Sequence, residues 1–123
     1  MNNILVIGLN PSNRPTLGNR HCKNSTFDRL YRWMDDLGVE YFSFMNVNDR
    51  QGRTTMKDVD FDLIAEASYK YNRIVCLGGF ASCVLDRMGI QHFRMPHPSP
   101  LNRQLNDREY ERTMIDECRR YLL

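Results

Sequence analysis

Residues 4–12 read Ile4-Leu5-Val6-Ile7-Gly8-Leu9-Asn10-Pro11-Ser12: four consecutive apolar residues, a glycine, then an Asn-Pro turn. An apolar run that does not alternate with polar residues is the pattern of a strand covered on both faces. Such a strand needs helices on either side of its sheet. Ile74-Val75-Cys76-Leu77, ended by Gly78-Gly79, repeats the pattern. Tyr41 to Met45 predicts a further strand that closes at Asn46. Gln91 to Met95 predicts a fourth, less apolar and suited to a sheet edge. Pro96, Pro98 and Pro100 stop it, because each proline removes a ladder donor.

Helical periodicity fills the intervals. Ser25 and Asp28 have capping-box spacing and open a helix with Phe27, Leu30, Tyr31, Met34 and Leu37 on its apolar stripe, ended by Gly38. Asp60 can cap a helix carrying Leu63, Ile64, Ala67 and Tyr71. Gly78-Gly79 turns into a short helix with Val84, Leu85 and Met88, and Tyr110, Met114, Ile115, Cys118 and Tyr121 line a last one. The order is βαβαβαβα. Strands joined by helical crossovers predict an α/β fold: a four-stranded parallel sheet in a three-layer α/β/α arrangement. A chain of 123 residues has room for one such domain, spanning residues 1–123.

The composition, 41% apolar and 26% charged, is that of an ordinary globular protein. Cys22, Cys76, Cys83 and Cys118 show no CxxC spacing, which argues against a zinc site or a disulfide framework. Reduced thiols in a cytoplasmic protein are the expectation. The apolar run at Ile4–Ile7 is too short for a signal peptide or membrane span, so a soluble, intracellular protein is expected, with no membrane partner.

In a parallel sheet, ligands bind beyond the carboxyl ends of the strands. That rule selects residues 9–26, 47–57 and 96–106, which are also the longest polar loops. They contain Arg14, Arg20, Lys23, Arg50, Arg53, Lys57 and Arg103 against one acid, Asp49. The rest of the chain holds ten cations and fourteen acids, so a nearly neutral protein concentrates positive charge on its expected ligand edge. A phosphate-bearing partner fits such a rim.

Two motifs lie on that edge. Gly8-Leu9-Asn10-Pro11-Ser12 follows the first strand, and His97-Pro98-Ser99-Pro100-Leu101-Asn102-Arg103 follows the last. Asn-Pro after a strand is on its own a turn signal. A histidine framed by Pro-x-Pro is rarer, since the prolines fix where the imidazole points. Together the motifs resemble the signature loops of the uracil-DNA glycosylase superfamily, G-x-[DN]-P-x and H-P-S-P-[LR]. The resemblance is specific at these two loops and extends over the chain as an order of strands and loops. Asn46-Val47 adds to it, at the end of the second strand where the family keeps an asparagine.

The resemblance implies a monofunctional DNA glycosylase, a hydrolase of N-glycosyl bonds, acting on uracil or a 5-substituted uracil flipped out of DNA for base excision repair. His97 would donate to the pyrimidine O2 as a neutral imidazole and stabilise the departing anion. Asn10 would hold the attacking water, and, lacking a carboxylate, would give slower chemistry than an aspartate. Asn46 would read O4 and N3–H of the base. Gly8, Leu9, Pro11, Ser12 and His21 would complete the base pocket. Leu101 would fill the hole left in the duplex, while Ser99, Pro100, Asn102, Arg103, Arg14, Arg20, Lys23, Arg50 and Arg53 would contact DNA. Ser12 stands where the main uracil branch holds a tyrosine that blocks a 5-methyl group, so 5-substituted bases are not excluded. Phe27 is assigned to the core stripe of its helix and His92 to the surface of an edge strand. DNA, single- or double-stranded, is the expected partner of a monomer, with no cofactor and no metal.

Two other readings stay open on the sequence. One is a non-catalytic binder of a flipped or modified base, favoured by Asn10. The other is an unrelated small α/β protein that binds a nucleotide or another phosphorylated small molecule through Gly78-Gly79, although no GxGxxG or GxxxxGK[ST] is present. The cation-rich rim makes one expectation common to any DNA-binding reading. DNA affinity, measured by fluorescence anisotropy, should fall steeply between about 50 and 200 mM salt, and each rim cation changed to alanine should lower the log–log slope by about one. A flat response would remove the phosphate partner.

Overall fold

The computed structural model describes residues 3–9, 26–48, 52, 54–99 and 101–123. In these residues the chain runs through β1 (Ile4–Gly8), α1 (Thr26–Leu37), β2 (Ser43–Asn46), α2 (Phe61–Tyr69), β3 (Arg73–Leu77), α3 (Gly79–Met88), β4 (Phe93–Met95) and α4 (Arg108–Leu122). Short 3-10 turns lie at Met56–Asp58 and Arg103–Asn106. All strand pairs are parallel and the sheet order is β2-β1-β3-β4. The two most apolar strands are therefore the inner ones.

Alternation along these strands feeds two separate cores. Ile4 and Val6 of β1, with Val75 and Leu77 of β3, face Leu30, Trp33 and Met34 of α1 and Ile115, Cys118 and Leu122 of α4. Leu5 and Ile7, with Ile74 and Cys76, face Ile64 of α2 and Ala81, Val84 and Leu85 of α3. Right-handed crossovers explain the partition. The step from β1 to β2 runs one way along the sheet, whereas β2 to β3 and β3 to β4 run the other, so α1 lies opposite α2 and α3. The switch in direction falls between β1 and β3.

Local signals act as expected at several ends. Asp60 accepts a hydrogen bond from the Leu63 N–H at 3.0 Å and caps α2. Gly38 follows the last residue of α1 in a left-handed conformation. Ser25, the expected cap of α1, lies outside the described residues.

Four details differ from the sequence expectation. The buried stripe of α1 is Leu30, Trp33 and Met34, whereas Phe27 and Tyr31 are 49% and 58% exposed. The outer shoulder of α1 lies over the edge strand β2, where Phe27 is edge-on to Phe44 at 5.3 Å and Tyr31 is tilted on Phe42 at 5.8 Å. Trp33 goes inward and its indole N–H donates to Glu111 Oε2 at 3.0 Å, tying α1 to α4. β2 starts at Ser43, β4 starts at Phe93, and α2 ends at Tyr69, before Tyr71.

His92 also departs from expectation. Its side chain is 6% exposed, not on the surface. With β4 beginning only at Phe93, the preceding segment folds against α3. There His92 Nδ1–H donates to the Ile90 carbonyl at 2.8 Å, which leaves Nε2 to accept from the Ser82 hydroxyl at 2.7 Å. Among the described residues, no helix is long and apolar enough to cross a membrane.

The contrast between core and loop leucines is measurable. Leu30→Ala should lower the unfolding free energy by about 2–5 kcal/mol, because it opens a cavity beneath α1. Leu101→Ala, at a residue 77% exposed, should stay within about 0.5 kcal/mol of wild type. Urea denaturation of the two variants checks both values.

Candidate base-binding edge

The parallel sheet brings the ends of all four strands to one edge. Gly8 and Leu9 stand at the end of β1, Asn46 at the end of β2, Gly78 after β3, and Pro96-His97 after β4. Neighbouring strands lie about 4.8 Å apart, so the outer strands are separated by roughly 14 Å, too far for two side chains to share one base. Two glycines shorten that span.

Gly8 pairs with Asn46 in the β1–β2 register. A Cβ on Gly8 would lie 2.8 Å from Asn46 Oδ1 and 2.9 Å from Phe44 Cζ. Asn46 therefore leans inward over the end of β1, beside the Phe44 ring, into space that any other residue at position 8 would fill. On the other side, a Cβ on Gly78 would lie 3.4 Å from His97 Cβ and 3.5 Å from Cδ2, so the imidazole packs over the end of β3. Gly78 has φ of +89°, a conformation disfavoured for residues with a Cβ, and its N–H donates to the Met95 carbonyl at 2.8 Å. Asn46 and His97 thus each pack over the end of an inner strand, one on either side of the switch in strand direction.

The loop after β4 fixes the imidazole. The Ser99 N–H donates to His97 Nδ1 at 3.1 Å, so in the neutral ring the proton resides on Nε2. Burial pushes the His97 pKa below its ordinary value, which keeps the ring neutral at neutral pH. Nε2–H is then a fixed donor. Pro98 is fully buried and anchors the turn. Asn102 binds the loop to itself: Nδ2 donates to the His97 carbonyl at 2.8 Å and Oδ1 accepts from the Gln104 N–H at 3.1 Å. Both ends of that amide are engaged within the loop, so Asn102 serves as its clamp. Ser99 Oγ accepts from the Leu101 N–H at 3.1 Å, and the Ser99 N–H is held by His97. Only its hydroxyl proton is left for a phosphate. Leu101 and Arg103 project from the loop, both exposed.

Beyond β1 and β2 the chains continue side by side. The Val47 N–H donates to the Gly8 carbonyl at 3.0 Å, and the Asn48 N–H to the Leu9 carbonyl at 3.2 Å. Asn48 is buried, and its Nδ2 donates to Thr54 Oγ1 at 3.1 Å. A cavity of about 290 Å³ opens next to this extension, between β2 and the start of α2. Asn46, Asn48, Lys57 and Asp60 are among its walls; His97, Gly8 and Gly78 are not.

Of the residues expected from sequence, Asn10, Pro11, Ser12, Arg14, Arg20, His21, Lys23, Arg50, Arg53 and Pro100 lie outside the described residues. Sequence reading overlooked the seat that Gly78 provides for His97, the Phe44 ring beside Gly8, and buried Asn48. The repeat Asn46-Val47-Asn48 at a strand end was the available signal for the last of these. The two buried cysteines are poor nucleophiles. Burial pushes the Cys76 and Cys118 thiols up to about 12, so neither forms a thiolate at neutral pH. Among the described residues, no three His, Cys, Asp or Glu side chains gather as metal ligands would.

No protein-family model matches the chain, and no curated protein matches its sequence.

The state of His97 has a thermodynamic consequence. Its folded pKa lies below the ordinary 6.5, so the unfolded chain binds the proton more tightly. Stability should therefore rise with pH up to about 6.5 and level off above it. Melting temperatures recorded from pH 7.5 down to 5 should fall on the acid side. The decline should be shallower in His97→Asn, whose carboxamide oxygen can replace Nδ1 as acceptor without titrating. Equal slopes would show that the folded protein does not disfavour the imidazolium.

Proposed function

We propose that this chain is a DNA base glycosylase of the uracil-DNA glycosylase superfamily, acting on uracil or a 5-substituted uracil. The observation that carries the reading is the neutral, singly oriented His97. Its Nδ1 is held by the Ser99 N–H, and its Nε2–H is left as a donor at the strand ends. Hydrolysis of an N-glycosidic bond builds positive charge on the sugar and negative charge on the leaving pyrimidine. A preorganised neutral donor at O2 stabilises that anion, and one such contact is worth roughly 3–4 kcal/mol of barrier. An imidazolium would have to be desolvated at this buried position, so the neutral form suits the site.

Asn46 supplies the complementary recognition. Its amide offers a donor and an acceptor, which match O4 and N3–H of uracil and mismatch the cytosine edge. Asn10 would hold the attacking water through its amide oxygen. Exposed Leu101 would enter the space vacated by the base, and Arg103 would meet a flanking phosphate. An amide at position 10 cannot accept the proton of water as a carboxylate can. That chemistry favours, as the second reading, a binder that captures the flipped base in the same pocket without removing it.

One assay separates them. Oligonucleotides carrying a single uracil or 5-hydroxymethyluracil, single- or double-stranded, are incubated with the protein and treated with alkali to break abasic sites. Glycosylase activity should give strand breaks that disappear in His97→Ala, by about 100-fold or more, and fall in Asn10→Ala. Tight binding with no breaks would establish the binder instead.

A further inference from the structure

Gly78 and Gly79 stand side by side where β3 turns into α3, and each has a polar side chain packed where its own Cβ would be. Over Gly78 lies the His97 imidazole, with Cδ2 3.5 Å from that point. Over Gly79 lies the Arg94 guanidinium, with Nη2 2.8 Å and Cζ 3.3 Å from the corresponding point. Consecutive α-carbons are about 3.8 Å apart, so the imidazole and the guanidinium are held within reach of one nucleotide and its two phosphates.

The placing of Arg94 follows from its strand. Phe93 and Met95 face α1 and α4, and alternation directs Arg94 to the opposite side, beside α3. A charge on an edge strand discourages pairing with another chain, but that role does not bring it against a helix. Gly79, unlike Gly78, has no positive φ, so its backbone conformation does not call for glycine. What its missing Cβ provides is room for the guanidinium. Arg94 is exposed and forms no hydrogen bond or ion pair among the described residues, so its donors remain for a ligand. A guanidinium is always charged and presents its donors as a planar fork that matches two oxygens of a phosphate. A neutral base edge would leave that charge unused, and a departing pyrimidine anion already has the His97 donor. The anion that accompanies every base in DNA is its phosphate.

We infer that Arg94 is a phosphate-binding residue of the same site, which grips one of the two phosphates flanking the base that His97 meets. The inference rests on the DNA-base reading of His97 and adds to it the residue that holds the backbone of the target nucleotide. A phosphate carries the same charge before and during loss of the base. The contact therefore belongs to binding and not to the chemical step, and Arg94 is a positioning residue.

The test uses single-stranded oligonucleotides with 2′-fluoro-2′-deoxyuridine at the target, whose fluorine disfavours an oxocarbenium ion and blocks base loss. The phosphate on its 5′ or its 3′ side is either ordinary or an uncharged methylphosphonate. In fluorescence anisotropy the wild type should lose about tenfold in affinity when one particular phosphate of the two is neutral. Arg94→Gln should bind the ordinary oligonucleotide about tenfold more weakly, with a log–log salt slope smaller by about one, and lose nothing further at that methylphosphonate. Gly79→Ala keeps the arginine but sets a Cβ where the guanidinium lies, so it should repeat the loss. Equal effects of each methylphosphonate on wild type and Arg94→Gln, or wild-type affinity in Gly79→Ala, would overturn the assignment. Arg94 is exposed, so its replacement does not threaten the fold, and melting temperatures check this. Alkali cleavage of the ordinary uracil oligonucleotide is scored separately, and there Arg94→Gln should raise KM about tenfold with kcat within about twofold of wild type. A fall in kcat with KM unchanged would place the guanidinium at the base and overturn the phosphate contact. No breaks with the phosphate effect present would overturn base removal alone; breaks without the phosphate effect would overturn the Arg94 contact alone; no binding to any DNA would overturn both.

Discussion

The parallel ladder between Ile4–Gly8 and Arg73–Leu77 sets Leu5 beside Ile74, Val6 beside Val75 and Ile7 beside Cys76. Burying each of these side chains on one face or the other contributes about 1.5–3 kcal/mol per large residue, and neither strand has a solvated face on which to place a polar group. Two helical layers are the necessary result. α1 and α4 close one face and α2 and α3 the other. The direction of each crossover follows from handedness once these two strands occupy the centre. The same ladder also creates the switch in strand direction, and so the place where the outer strands can present side chains over the ends of the inner ones.

At those ends, the placing of Asn46 and His97 depends on what the inner strands lack. Gly8 and Gly78 have no side chains, and Asn46 and His97 occupy the space that results. Rigidity comes from elsewhere. The Ser99 N–H fixes the imidazole, Asn102 ties the loop at both ends of its amide, and Pro98 is buried beneath it. In the proposed reaction, a donor held this way would need no reorganisation as charge developed on the leaving base, which is the condition for electrostatic stabilisation of an anion. The side chains of Leu101 and Arg103 stay exposed, and it is the amide of Asn102 that holds the turn.

Much of this was legible in the residues. The unbroken apolar runs at Ile4–Ile7 and Ile74–Leu77 specified strands covered on both sides, since only such strands tolerate no polar residue. The alternation with helical segments specified the parallel sheet, and Asp60 and Gly38 marked helix ends through local hydrogen bonding and backbone freedom. The histidine and the asparagine of the candidate site lay at strand ends expected to share one edge, and the resemblance of the GLNPS and HPSPLNR loops to a known family is what singled them out. Phe27 and Tyr31 were misread as core because periodicity gives the direction of a helix face but not the width of the sheet beneath it. His92 was misread because the short β4 lets residues 90–92 turn onto α3, which alternation along a strand does not reveal.

The sequence by itself determined the element order, the layer architecture and the chemical groups at the carboxyl edge, since these follow from periodicity, turn residues and chain direction. Only the tertiary structure decided the strand order β2-β1-β3-β4, and with it that Asn46 and His97 come from opposite edges of the sheet and each pack over a glycine at the end of an inner strand. It alone also decided the tautomer of His97 and the cavity between β2 and α2. Each depends on atoms distant along the chain being brought within hydrogen-bonding or van der Waals range. No local pattern carries that information, because what defines the site is the room that Gly8 and Gly78 leave for Asn46 and His97.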